Sequence, residues 1–313
     1  MVKVLEAVPN FSEGRDLAKV EALVSTISSF DVEVLDWSAD PDHHRSVVTF
    51  IGEPPAVEAA ALAGARFALD NIDLRAHSGV HPRVGALDVL PFVPLHGLTM
   101  DDAVASAHRV GRAIAAMGVP VFFYGAAADP PGRSLAELRR GGFEALRQGW
   151  PRGRAADLPA DAEAAHPTAG VTCVGARPIL LAWNVVVTGI DVSDARAIAS
   201  LIRERDGGFA GLRALGLRLE AQDRVQISMN LEDPERVLPL DVFDRIEAEV
   251  RRRGGDVVET EVIGMMPDTL VLPDSAGRLK LPDLGTARVL SRRVAEYVSA
   301  RSGERTETPD ITE

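Results

Sequence analysis

A chain of 313 residues with a formal charge of −12 is long enough for two hydrophobic cores and lacks the positive field that a nucleic-acid or acidic-membrane partner requires. No apolar run reaches the ~18 residues of a membrane helix, and the opening MVKVLEAVPNFSEGRD has no signal-type cleavage region, so a cytoplasmic protein is expected. The single cysteine, Cys173, has no second thiol for a disulfide or a metal site and reads as a small core residue.

Val2–Val8 reads as a strand. Leu17, Val20, Leu23, Val24 and Ile27 then recur at helical spacing within Glu13–Ser29, with Ser12 placed to cap the first turn. Two β-prone runs follow, Val32–Trp37 and Ser46–Ile51, joined by the turn-forming ADPDHH. Pro54-Pro55 opens an alanine-rich helix to about Asp70, and Arg83–Val93 reads as the next strand. A capping-box pattern at Thr99 starts a further helix that feeds the strand Val119–Tyr124. The stretch Pro151–Gly170, rich in Gly, Pro and Ala, reads as irregular.

The second half repeats that order. It offers a very apolar strand at Ile179–Thr188, a helix at Ser193–Arg205, β-prone runs at Leu215–Glu220 and Arg224–Leu231, a helix at Leu240–Arg253 and a strand at Val257–Ile263. Both halves are β-α-β-β-α-β, the split βαβ order in which two helices cover one sheet face. The expected fold class is α+β: two ferredoxin-like (βαββαβ) subdomains with facing mixed sheets and helices outside. The expected bounds are 1–178 and 179–302, followed by a disordered polar tail at 303–313. Facing sheets leave a cleft, a common place for a ligand.

Four of the seven histidines fall in two short segments, His43 and His44 in DPDHHRSVVTF and His77 and His81 in RAHSGVHPRVGALDV. Three readings are open. A metal site would need the His-x-x-x-His pair on a helix, but Ser78-Gly79 and Pro82 favour a loop, and there is no HExxH or cysteine pair. The histidines could simply be loop residues satisfied by backbone or solvent. Alternatively, one could move protons, since imidazole titrates near neutrality.

Arg45, Arg75 and Arg83 surround these segments and suit a carboxylate ligand, or else they pair with Asp40, Asp42, Asp73 and Asp88. Asn184 interrupts an apolar strand and needs a specific partner, while Gln226, Ser228 and Asn230 alternate onto one sheet face that is either solvent-exposed or lines a cleft.

VPNFSEGR at 8–15, DHHRSVVTFIG at 42–52, HSGVHPRVGALDVLPFVP at 77–94 and VPVFFYG at 119–125 resemble the N-terminal subdomain of the formiminotransferase family. GVTCVGARPILLAWNVVV at 170–187 and VQISMNLED at 225–233 resemble its C-terminal subdomain. The resemblance implies a dimeric, metal-free transferase that moves a formimino group from N-formimino-L-glutamate to N5 of (poly)glutamylated tetrahydrofolate, within histidine degradation and one-carbon metabolism. It puts the catalytic acid/base on His81. Folate contacts fall on the loop Asp161–Gly170, through Asp161, His166, Pro167, Thr168, Ala169 and Gly170, and on Asn10, Asn184, Gln226 and Asn230. Substrate contacts fall on Asp40, His44, Arg45, His77, Arg83 and Arg177.

This chain departs from the family pattern at two places: DAEAAHPTAG lacks the aromatic residues sometimes found there, and His44 stands where asparagine is expected. The cyclodeaminase of bifunctional relatives has no room after the last predicted strand, so a separate protein is expected to act downstream. A formyl donor on the same scaffold and a non-catalytic folate or amino-acid binding module are the competing expectations.

Overall fold

The computed structural model describes residues 1–303 except 221, 272–274 and 283–285. The segment 304–313, most of the expected tail, lies outside the described residues.

The first subdomain runs β1 (Val4–Ala7), β2 (Asn10–Phe11), α1 (Leu17–Ser28), β3 (Val32–Asp40), β4 (Arg45–Gly52), α2 (Pro54–Asn71), β5 (Leu87–His96), α3 (Met100–Ala116) and β6 (Val121–Gly125). The short helices α4 (Leu135–Leu138) and α5 (Gly142–Arg147) and the strand β7 (Thr172–Ala176) complete it. Its sheet is mixed, in the order β1-β4-β2-β5-β7-β6 with β3 on the outer side of β4 and β1 also paired to β5. Strands β5, β1, β4 and β3 form the antiparallel ferredoxin-like core, and β7 and β6 extend it in parallel.

The second subdomain runs β8 (Leu181–Thr188), α6 (Val192–Ile202), β9 (Leu212–Leu219), β10 (Arg224–Leu231), α7 (Pro239–Arg252), β11 (Asp256–Ile263), α8 (Ser275–Leu279) and α9 (Leu290–Ser302). Its sheet order, β11-β8-β10-β9, is antiparallel throughout, whereas a mixed sheet was expected. The helix crossovers make β8 parallel to β9 and β10 parallel to β11, but each of those pairs is separated by another strand, so no parallel neighbours arise.

Each sheet packs one face on its helices. In the first, Leu5, Phe11, Phe50, Leu90 and Phe92 meet Leu23, Ile27, Val57 and Val110. In the second, Trp183, Val185, Ile227 and Met229 meet Ile198, Phe243 and Ile246. Burial of each such large side chain stabilises by roughly 1.5–3 kcal/mol.

On the opposite face of the first sheet, Val89, Cys173 and Phe122 are covered by Leu138 of α4 and Leu146 of α5, while the part over β1 and β4 meets the second subdomain. Tyr297 of α9 lies on Val4 and Ile51 of the first sheet, Arg293 and Arg301 pair with Glu33 and Asp31, and Thr49 Oγ1 abuts Gly264 after β11. Gln226 and Asn184 are buried although no helix of their own sheet covers that face.

Local differences from the periodicity have physical causes. Helix α1 starts at Leu17, capped by Asp16 rather than Ser12, because the Glu13 carboxylate gathers the backbone N–H groups of Gly14, Arg15 and Asp16 (3.0–3.1 Å) and holds the chain in a turn. Ser12 donates instead to the Gly85 carbonyl (2.7 Å). Strand β5 starts at Leu87, not Arg83, because Asp88 Oδ1 accepts the N–H groups of Val84 and Gly85 and folds that segment back. The Thr99 capping box is present, closed by Asp102.

Candidate active site

The hairpin turn between β3 and β4 presents Asp40 to Arg45, and the irregular segment 77–83 lies across it. Val80 N–H donates to the Asp42 carbonyl (3.0 Å), and Gly79 sits so close that a β-carbon would fall 2.4 Å from the His43 carbonyl oxygen. Only glycine lets the segment cross there. At its far end Arg83 donates Nε–H to His77 Nδ1 (3.1 Å) and pairs with Glu144 of α5 (2.7 Å).

Within this frame His81 sits deep among protein atoms yet keeps part of its ring accessible. Its Nδ1–H donates to the Pro82 carbonyl (2.8 Å), so in the neutral ring Nε2 carries the free lone pair. The His43 ring lies 5.7 Å away. Burial, reinforced by the positive charges of Arg45 and Arg139, pushes His81 well below the ordinary imidazole range.

Beneath it, Asp88 is fully buried and receives Arg45 Nη1 (2.8 Å) and the Arg139 guanidinium through Oδ2, while Oδ1 takes two backbone N–H groups. Burial alone would raise Asp88, but Arg139 and Arg45 hold it far below the usual carboxylate range. Arg45 also donates two bonds to Asn10 Oδ1 (2.9 and 3.0 Å), and burial draws it down to about 10 against the opposing pull of Asp88. Two guanidinium groups against one carboxylate leave a positive surplus beside His81. Such a surplus suits an anion.

The structure thus gathers Asn10, His44, Arg45, His77, His81 and Arg83 in one neighbourhood. Asp40 is nearby, but its Oδ1 accepts the His43 N–H (2.7 Å) and stabilises the turn. Arg177 stands elsewhere on the open face of the first sheet, within electrostatic reach of Glu6 and Tyr124.

Of the loop 161–170, Asp161 and Pro167 are exposed. His166 Nδ1 accepts the N–H groups of Ala169 (3.0 Å) and Thr168 (3.3 Å), and the Thr168 carbonyl accepts from Leu74 N. Ala169 and Gly170 are buried behind the segment 77–83, with Ala86 N–H donating to the Ala169 carbonyl. Gly170, at φ +72°, has no room for a side chain against Val84 O. These two residues support the site rather than face it.

On the second sheet Asn184 donates to Glu261 (3.3 Å) and lies opposite Ser228. Gln226 Oε1 is buried without a partner among the described residues, and Asn230 is exposed.

Sequence reasoning did not assign roles to Glu13, Asp88 as the anchor of two arginines, Arg139 and Glu144. Only Asp88 carried a signal, a charge inside the apolar run ALDVLPFV. Of the expected arginine–aspartate pairs, Arg45–Asp88 and Arg75–Asp73 form. Among the described residues no cluster of three His, Cys, Asp or Glu could hold a metal ion.

An imidazole with one uncommitted nitrogen, beside a centre of surplus positive charge in a two-subdomain α+β fold, is the candidate site of an enzyme. The formiminotransferase domain, N-terminal subdomain, matches residues 4–177, and the formiminotransferase domain that follows it matches 182–278. The chain belongs to the formiminotransferase family and is a transferase.

It is 38% identical over 286 residues to the glutamate formimidoyltransferase of Streptococcus pyogenes serotype M1, covering 90% of this chain and 95% of that protein. The glutamate formimidoyltransferase of Thermoplasma acidophilum is 35% identical over 303 residues, covering 94% and 98%. The formimidoyltransferase-cyclodeaminase of Rattus norvegicus is 35% identical over 287 residues, covering 88% of this chain and 52% of the longer protein.

Proposed function

We propose that this chain is a glutamate formimidoyltransferase, moving the formimino group of N-formimino-L-glutamate to N5 of tetrahydrofolate with His81 as the general acid/base. The observation that carries the reading is the state of His81: its Nδ1–H is fixed on a carbonyl, its Nε2 is free, and it stands beside surplus positive charge. As N5 attacks the formimino carbon, a C–N bond forms and His81 Nε2 takes the N5 proton. As the bond to the glutamate nitrogen breaks, the same imidazolium returns that proton to the departing nitrogen. The donor is an anion, which the Arg45–Asp88–Arg139 centre attracts.

The co-substrate is assigned to the space between the open sheet faces, with Asn10, Arg177, Asn184, Gln226 and Asn230 as polar lining. This division of the chain, with the boundary at residue 178, belongs to the same reading. Holding both substrates together lowers the barrier by up to roughly 7–11 kcal/mol. A cytoplasmic homodimer is the assigned form.

His81→Asn tests the assignment. We expect kcat to fall on the order of a hundredfold to ten-thousandfold with KM little changed. Full turnover by the variant refutes it. Running formiminoglutamate beside formylglutamate, with folate product followed by absorbance, decides between formimino and formyl transfer.

A further inference from the structure

The segment that carries His81 rests on a second histidine. His44 closes the β3–β4 turn at φ +50°, a left-handed conformation that asparagine accepts more readily than histidine. The position therefore favours the residue this chain lacks.

Each ring nitrogen of His44 faces an acceptor. Nδ1 lies 3.0 Å from the Ser78 carbonyl oxygen, and Nε2 lies 3.2 Å from Glu13 Oε1. A carbonyl only accepts. Burial would raise Glu13, but the N–H groups of Arg15 and Asp16 together with Lys19 hold it at about 2, so it too only accepts. Both contacts are hydrogen bonds only when both nitrogens donate, which an imidazolium alone can do.

The groups packed around the ring fit a cation. Glu13 and its partner Lys19 come from the start of α1, and Asp42 belongs to the same turn as His44. His77 stacks on His44 at 4.1 Å and is itself neutral, since its Nδ1 accepts from Arg83 while its Nε2–H donates to the His44 carbonyl (2.8 Å). Burial, with Arg83 and His44 nearby, draws His77 down to about 4.

We propose that His44 is a positioning residue, a doubly protonated ring that ties the Ser78 end of the catalytic loop to Glu13 and makes the placement of His81 depend on pH. Neutral imidazole has one N–H, so one of the two bonds must lapse when the proton leaves. Asparagine would satisfy the turn and offer an amide that does not titrate. The proposal rests on the reading of His81 for its effect on turnover, while its structural part stands apart from it.

The test is a titration of the full chain labelled with nitrogen-15 in histidine, paired with hydrogen exchange at Val80, whose N–H is held by Asp42 O. At about pH 6 both His44 nitrogens should show bound protons. As that ring deprotonates, Val80 protection, corrected for intrinsic exchange, should fall on the order of tenfold to a hundredfold, the worth of one charge-assisted hydrogen bond. In His44→Asn the protection should be independent of pH, and the decline of kcat with rising pH at constant KM expected of the wild type should vanish. A His44 ring that is neutral at about pH 6, or Val80 protection indifferent to its titration, overturns the proposal. The nitrogen-15 and exchange readouts need no turnover, so failure of the His81 assignment would show separately in His81→Asn. The wild-type titration decides even where His44→Asn does not fold.

Discussion

Glu6 tests whether the open face of the first sheet is a desolvated interface. It is 4% exposed, pairs across β1 with Ile51 and Val93, and receives no hydrogen bond from any described residue. Burial pushes its carboxyl up to about 7, against the opposing pull of Arg177. A carboxyl raised in the folded state binds its proton more tightly when folded than when unfolded. Its contribution to stability is fully present below the unfolded value, about 4.3, and is lost as pH rises toward 7. At 1.36 kcal/mol per pH unit, that loss comes to roughly 3 kcal/mol by about pH 8. Glu6→Gln keeps the shape and cannot ionise. Its buried amide adds a fixed cost, equal at every pH, so the change in the wild-type-to-variant difference isolates the charge. Denaturant unfolding at about pH 5 and about pH 8 should show the variant gaining roughly 2–3 kcal/mol on the wild type at the higher pH. An unchanged difference between the two conditions would falsify the burial argument.

Asp88→Asn should destabilise the protein by roughly 3–5 kcal/mol, because it leaves the buried Arg45 and half-buried Arg139 guanidinium groups facing an amide in place of their shared anion. A denaturation midpoint within about 1 kcal/mol of wild type would show that water or a rearranged partner replaces the carboxylate. If His81 has its proposed role, the acid limb of kcat/KM reads that residue in the free enzyme. Burial and the charges of Arg45 and Arg139 depress its proton affinity, and a depressed base is neutral and competent above its own value. The acid limb of the profile should therefore lie below about pH 6.5, and an acid-limb inflection at or above about 6.5 would count against the assigned environment.

The repeated β-α-β-β-α-β order was legible because each element buries one regular face, so periodicity alone reveals it. Strands Thr172–Ala176 and Asn10–Phe11 and helix Leu290–Ser302 were not read. The two strands are short, and their neighbours in the sheet come from distant parts of the chain. Helix α9 buries only Leu290 and Tyr297 fully, too few apolar positions to set a clear period. In the site, the residues that could be named were those with distinctive chemistry, the histidines and arginines. Glu13, Arg139 and Glu144 act through partners on other elements, and nothing in their own surroundings in sequence points to those partners. The irregular path of 77–83 was legible from Gly79 and Pro82. That Gly79 must clear the His43 carbonyl was not, because that contact joins two separate segments.

The way the two subdomains divide the polar groups bears on how such a site can be stable. On the first subdomain Arg45 and Asp88 are buried and Arg139 is half-buried, with one positive charge unmatched. The buried part of the facing second sheet offers the amides of Asn184 and Gln226, with the Ser228 hydroxyl, beside Leu215 and Leu217, while the Glu261 carboxylate that Asn184 donates to stays exposed on the edge strand. An unmatched buried charge costs several kcal/mol, and the cores under both sheets must offset it in the free protein. An anion arriving beside His81 relieves that cost, so binding is favoured by electrostatic strain already present in the fold rather than by contacts alone. A second charged wall would either cancel that field or bury a further unpaired ion. Neutral amides can orient a partner molecule without doing either.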